Sequence, residues 1–173
     1  IPDVPDAQEM LTRIIDEAKM ANAIVQEVLE FVRPLHLHVE RTSVYDAIQA
    51  AIQHADSKVA RGAVDVAVRM AEGLPDVQAD QHQLTQVFTN LLMNAYEAMD
   101  GAGRVAVTAE RVTLEESGEP REFVRIQVAD SGPGIPDEVA TKVFEPFFTT
   151  KPQGSGLGLP IVRKIVDAHD GRI

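Results

Sequence analysis

The chain has 173 residues, 45% of them hydrophobic, with a formal net charge of −11 and no cysteine. That length suits one ordinary domain plus an appendage, with enough apolar residues for a core. The acidic balance argues against general nucleic-acid binding, which relies on Lys and Arg against phosphates, and the lack of cysteine excludes disulfides and thiolate metal sites while fitting a cytosolic setting. No stretch approaches the roughly 18 uninterrupted apolar residues of a membrane span, and the opening Ile1-Pro-Asp-Val-Pro5 shows no signal peptide.

Residues 7–33 read as one long helix. Leu11, Ala18, Val25 and Val32 recur every seven residues, Ile14, Ala21 and Val28 fill the complementary positions, and Ile15 and Leu29 widen the stripe. Such a seam is broad enough for a bundle and predicts partner helices. Arg33-Pro34 ends it, because proline disfavours helical backbone in the residue before it. Residues 35–43 form a linker with a short extended piece, and 44–61 a second helix closing near Gly62. Val64, Val66 and Val68 alternate with polar or small residues, the period of a strand. A turn at Gly73–Asp76 precedes a helix over 80–99, with Asp80 as N-cap and Gly101 just past its end. Its core-facing positions include Leu84, Val87, Leu91, Ala95 and Ala98.

Val105 and Val107 begin another strand, and Glu115–Pro120 is a polar hairpin loop. Phe123 to Val128 predict a central strand ending at Asp130. Residues 136–155 read as a loop with one helical turn near 137–142, and a last helix runs from about 157 to 169. No repeat or low-complexity tract interrupts the chain. Helices and strands without strict alternation predict a layered α+β domain with a mixed sheet.

Four short segments carry chemistry. In Asn90-Leu-Leu-Met-Asn94 the two asparagines lie four apart and share a helix face; a carboxamide oxygen is a hard ligand of the kind magnesium takes, alongside phosphates and water. Two polar residues on a solvated helix face would look the same in isolation. Asp130-Ser-Gly-Pro-Gly134 ends an apolar strand in a turn whose glycines permit positive φ and close approach of a ligand. A carboxylate held there can accept from the exocyclic amine of adenine. Guanine presents a carbonyl at that edge, and an unpaired buried polar group costs about 1–3 kcal/mol; a plain strand-capping turn is the other reading.

Phe144-Glu-Pro-Phe-Phe148 concentrates three of the six phenylalanines on one loop, apolar anchors that suit a lid able to dock over a ligand and exclude water. Lys151, just beyond, is the candidate to pair with a terminal phosphate as a mobile point charge, or is a solvated loop lysine. Gly154-Ser-Gly-Leu-Gly158 leads into the last helix, where backbone N–H groups and the positive helix end favour phosphate. It follows a loop rather than a strand and lacks the Lys-Ser/Thr of a Walker A motif, so P-loop and dinucleotide-binding readings fit poorly.

The order and spacing of these four segments resemble the N, G1, F and G2 boxes of sensor histidine kinases, members of the GHKL ATP-binding superfamily, and the resemblance covers most of the chain. It implies a Bergerat-type two-layer sandwich of a mixed sheet and helices, preceded by a long N-terminal bundle helix. It implies ATP and Mg2+ as ligands, with Asn94 on the metal and Asn90 beside it toward the phosphates. Nucleotide contacts are expected from Asp130, Gly132, Gly134, Phe144, Thr150, Lys151, Gly154, Gly156, Leu157 and Gly158. The Phe144–Lys151 segment becomes the ATP lid. Any such site must build local positive potential against an acidic chain.

By the same resemblance residues 1–34, ending Leu-Glu-Phe-Val-Arg-Pro, are the second helix of a dimerisation bundle, 35–45 a linker and 46–173 the ATP-binding catalytic domain. His36, His38, His54, His82 and His169 lack the setting of a phosphoacceptor and read as structural or solvated. The acceptor helix is expected ahead of Ile1, and further strands after Gly171-Arg-Ile173. Asp170 stands where the family usually has a glycine.

Within the superfamily, ATPases carry a glutamate at the position of Asn90. An amide takes no proton at neutral pH, so weak hydrolysis and phosphoryl transfer to histidine are implied instead, with positioning and charge neutralisation supplying the catalysis. The implied partners are ATP, a response-regulator receiver domain and a second copy through the bundle. A cytoplasmic location follows for the domain, with membrane anchoring of its parent left open. A nucleotide-responsive dimerisation scaffold and a GHKL ATPase or serine kinase are the alternatives.

Overall fold

A computed structural model describes residues 4–58, 63–116, 118–151 and 154–173. Helix α1 spans Val4–Val32, strand β1 Glu40–Thr42 and helix α2 Val44–Lys58. Strands β2 (Ala63–Met70) and β3 (Val77–Ala79) precede helix α3 (Gln81–Ala98). Strands β4 (Ala102–Glu116) and β5 (Glu119–Asp130) form a hairpin, followed by the single turn α4 (Asp137–Ala140) and helix α5 (Gly158–Ala168). The expected end of α2 at 59–62 lies outside the described residues.

Local chemistry sets these boundaries. The Ser43 hydroxyl caps α2 by accepting from the Asp46 N–H at 3.2 Å, and Asp80 caps α3 by accepting from the Gln83 N–H at 3.0 Å. Helix α3 stops where Asp100 and Gly101 take φ of 50° and 74°, with the Gly101 N–H returning to the Tyr96 carbonyl at 3.2 Å. After α5, Asp170 adopts φ of 55°, a left-handed closure that Asp tolerates better than most residues.

The larger sheet has the order β2-β4-β5, with β2 parallel to β4 and β4 antiparallel to β5; β1 and β3 form a separate antiparallel pair. The mixed sheet is as expected, but β5 is an outer strand and β4 the central one. The alternation Val124, Ile126, Val128 marks one core-facing side, which an outer strand also has. The hairpin is also tighter than expected. Glu115, Glu116, Glu119 and Pro120 are all paired in the ladder, so the strands run further toward each other than the sequence predicts.

Val105, Val107 and Ala109 of β4 pack in one core with Ile48 and Ala51 of α2, Phe88 and Leu92 of α3, and Ile161 and Ile165 of α5. Tyr96 is fully buried, and its hydroxyl donates to Asp56 at 3.0 Å. Of the positions expected to face inward on α3, Val87 and Ala95 are buried, Leu84 and Leu91 half-buried, and Ala98 exposed. The last turn of α3 runs past the helical layer, which leaves Ala98 beside the loop after β5 instead.

Helix α1 contrasts with this core. Leu11, Ile14, Ile15, Val25, Leu29 and Val32 are exposed along it, while Val28 and Phe31 near its C-terminal end pack against the core. Among the described residues, no helix is long and apolar enough to cross a membrane.

Candidate nucleotide site

Helix α3 is the spine of the site. Its core face is fixed by Val87, Phe88, Leu92, Ala95 and Tyr96, which sets Asn90 and Asn94 half-exposed at its border. The Asn90 side-chain N–H donates to the Gly158 carbonyl at 3.3 Å. Asn94 reaches the same glycine, since a Cβ on Gly158 would lie 3.8 Å from Asn94 Nδ2. The other end of the Asn94 amide, Oδ1, accepts from Lys151 Nζ at 3.0 Å. Lys151 also pairs with the Glu97 carboxylate, one turn further along α3. Residues 57 positions apart in sequence, Asn94 and Lys151, are thereby joined.

The loop over residues 144–151 and the glycine-rich loop are strapped together. The Phe147 N–H donates to the Gly156 carbonyl at 3.1 Å. Gly156 has φ of 71°, and a Cβ there would lie 2.6–2.8 Å from the backbone of Phe147 and Phe148. Gly154 is equally crowded, its would-be Cβ 2.6 Å from Thr149 Oγ1. Thr149 Oγ1 accepts from the Lys151 N–H at 3.0 Å, whereas Thr150 is exposed and no hydrogen bond ties it to the site among the described residues. Phe144 is half-buried, with the Arg163 guanidinium 5.7 Å from its ring centre; Phe147 is exposed. Leu157 is fully buried, and its N–H is spent on Ser155 Oγ at 3.2 Å. Its side chain therefore anchors the loop in the core rather than facing a ligand.

Asp130 lies beside the C-terminal end of the same helix. Its Oδ1 accepts from the Gly132 N–H at 2.8 Å, which orients the carboxylate. Gly132 sits against α3, its would-be Cβ 3.3 Å from both the Cβ and the carbonyl oxygen of Ala98. Ser131 locks the turn through Oγ, which accepts from the Arg104 N–H at 3.0 Å and lies 3.3 Å from Met99 Sδ. Ala98 is one helical turn beyond Asn94, about 6 Å along the axis, so Asp130 and Asn94 share one side of the molecule. Gly134 has φ of 77° with open space around it, and is not bonded to the rest of the cluster among the described residues.

The sequence does not single out Glu97, Thr149, Ser131 or Ser155 for these contacts. Ser155 Oγ donates to the Glu27 carboxylate of α1, and Lys164 Nζ donates to the Phe31 and Arg33 carbonyls at 2.6 and 2.7 Å. These bonds join α1 to the glycine-rich loop and to α5.

The histidines lie elsewhere. His169 Nε2 accepts from the Asp80 N–H at 3.0 Å, which places the ring proton on Nδ1, 2.8 Å from the Ile165 carbonyl. The other four border a cavity of about 690 Å³ with Glu40 and Asp80. Among the described residues, no three His or acidic side chains converge as a protein-only metal site requires. Magnesium does not need such a set, because one or two protein oxygens with phosphate suffice. The ammonium on Asn94 Oδ1 shows that this oxygen can take a cation.

Residues 79–173, more than half of the chain, match the model of the histidine kinase-, DNA gyrase B- and HSP90-like ATPase family. The sensor histidine kinase ZraS of Escherichia coli (strain K12) is 36% identical over 168 residues, spanning 97% of this chain and 34% of that protein. The catalytic domain of histidine kinase ThkA is 32% identical with a TM-score of 0.60, over 78% of this chain and 82% of that one. ThkA in complex with response regulator protein TrrA is 29% identical with a TM-score of 0.74, over 99% of this chain and 47% of that one. The chain spans about a third of the length of the ZraS relatives it matches. With the family model on α3 through α5 and the histidine-kinase likeness extending through α1, the chain belongs to the sensor histidine kinases and carries their GHKL-type ATP-binding catalytic domain.

Proposed function

We propose that this domain binds Mg-ATP and, in the intact protein, directs the γ-phosphoryl group to a bundle histidine and then to an aspartate of a response regulator. The observation that carries the reading is the meeting of Asn94, Lys151 and Gly158, from three separated segments, on one side of α3. Asn94 would hold the metal through Oδ1, and Asp130 the adenine amine. Lys151 would pair with the terminal phosphate, and the backbone of Gly154, Gly156 and Gly158 would cradle the phosphates with the N-terminus of α5. When bound, magnesium supplies charge neutralisation between the phosphates. Gly132, held against Ala98, keeps the Asp130 turn close to the helix.

Asn90 has a defined part in this reading. Its amide donates to the Gly158 carbonyl, so it secures the cradle and, being unable to accept a proton, gives water no base. Slow hydrolysis leaves the γ-phosphoryl group for a protein acceptor. Residues 1–34 would be the second bundle helix, 35–45 a linker and 46–173 the catalytic domain. The exposed apolar face of α1 supports pairing with bundle helices from a second copy and from the segment that carries the acceptor histidine. That acceptor lies outside this chain in our reading, so the chain alone binds ATP without labelling itself.

Calorimetry with a non-hydrolysable ATP analogue tests the site. Asp130→Asn is expected to weaken binding by about 5- to 150-fold, the equivalent of about 1–3 kcal/mol for a lost buried polar contact. Magnesium-independent binding, or none, would overturn the reading. Mixing the chain with a bundle that carries the histidine helix should give acid-labile label on the bundle; steady phosphate release without label would favour an ATPase.

A further inference from the structure

The contact between Lys151 and α3 engages the one oxygen that the metal would need. Lys151 Nζ lies 3.0 Å from Asn94 Oδ1 and is paired at the same time with the Glu97 carboxylate. Asn94 and Glu97 are three residues apart, on neighbouring positions of one helix face, so they form a two-point seat for an ammonium. Glu97 has no part in the nucleotide contacts described above. Both ends of the ion pair are partly exposed, 39% for Lys151 and 47% for Glu97, so the pair is weak enough to be exchanged.

We propose that Glu97 is a positioning residue that parks Lys151 on the Asn94 oxygen in the nucleotide-free protein, so that the lysine and Mg2+ compete for that oxygen. This inference rests on the reading of Asn94 and Lys151 given above. Loading then requires Lys151 to leave Glu97 and Asn94 for phosphate, which opens the oxygen to the metal in the same movement. Free nucleotide without metal has no use for the vacated oxygen, and metal without nucleotide offers Lys151 no anion in exchange for Glu97. The seat therefore favours joint entry of metal and nucleotide over either alone.

A double-mutant cycle on the whole chain tests this, read as binding of a non-hydrolysable ATP analogue across a magnesium titration. Glu97→Gln is expected to tighten binding about three- to fivefold, the size of a partly exposed ion pair, and to lower the magnesium concentration for half-maximal binding. In a Lys151→Met background the same Glu97→Gln change should have no effect, because the parked group is gone. An equal gain in both backgrounds would mean that Glu97 acts only as a repelling charge and would overturn the proposal, as would unchanged or weaker binding by Glu97→Gln alone. If the wild-type chain binds the analogue with magnesium and the cycle shows no coupling, only this inference fails; if the wild-type chain binds nothing, the nucleotide reading fails with it.

Discussion

Gly156 and Gly73 have nearly the same backbone conformation, φ of 71° and 69°, but opposite surroundings. An alanine Cβ at Gly73 meets nothing within 4 Å, while at Gly156 it meets three backbone atoms of Phe147 and Phe148 within 2.8 Å. Gly73→Ala should therefore cost about 1–2 kcal/mol from the left-handed conformation alone and leave nucleotide affinity intact. Gly156→Ala should cost about 1–3 kcal/mol more, as overpacking does, and weaken nucleotide binding at least about tenfold, since about 1.4 kcal/mol spent on separating lid from cradle is a factor of ten. Thermal melts and calorimetry on the two variants separate conformation from contact. At this scale the sequence showed the groups whose chemistry is distinctive: two amides at helical spacing, a carboxylate at a glycine turn and a lysine on the lid. It did not show Glu97, 54 residues from Lys151, because an ion pair between distant positions leaves no local pattern. Thr149 and Thr150 are indistinguishable in sequence, and only the fold of the loop turns Thr149 to the Lys151 N–H, the one of the two that bonds among the described residues.

Helices were legible because the 3.6-residue period and the capping residues act locally: Asp80, Pro34 and Gly101 mark real ends. Strand β3 has three residues, too few for alternation to register, and exists through its pairing with β1, Glu40 opposite Ala79 and Thr42 opposite Val77, with Thr42 Oγ1 also donating to the Ala79 carbonyl at 2.9 Å. The outer position of β5 was illegible for a related reason, since alternation reports a buried face and says nothing of neighbours. The end of α1 depends on another element altogether. Its last carbonyls would lack partners, and Lys164 of α5 supplies the donors at Phe31 and Arg33 while lying 5.7 Å from the Phe31 ring centre. Lys164→Met keeps much of the aliphatic stem and removes those donors. Amides of residues 28–33 should then exchange about fivefold faster, the equivalent of about 1 kcal/mol for a lost net hydrogen bond, with the core helices unchanged; hydrogen-exchange mass spectrometry reads this directly.

At the scale of the molecule, Asp80 is the knot. Its carboxylate accepts from the His38 N–H at 2.8 Å and the Gln83 N–H at 3.0 Å, and its own N–H donates to His169, so the linker after α1, the start of α3 and the end of α5 meet at one residue. Burial pushes the Asp80 carboxyl up, but the N–H groups of His38, Gln83 and His82, with the charge of His82, bring it below the ordinary carboxylate range. A depressed carboxylate contributes stability that is complete above its unfolded value and is lost as pH falls through the lower folded one. Asp80→Ala should cost about 1–2 kcal/mol near neutrality. In urea melts, the gap to wild type should narrow only as pH drops below about 3.9. The α+β class was legible from the order of helical and strand periods, whereas this knot was not, because a histidine accepting from a distant amide looks in sequence like any other histidine. One consequence follows from two neighbouring cations on α5. Arg163 rests on the lid aromatic Phe144, while Lys164 grips the end of α1, and successive residues on a helix point about 100° apart. Both contacts are therefore carried by one short helix, so the loop around Phe144 and the end of α1 are joined through α5.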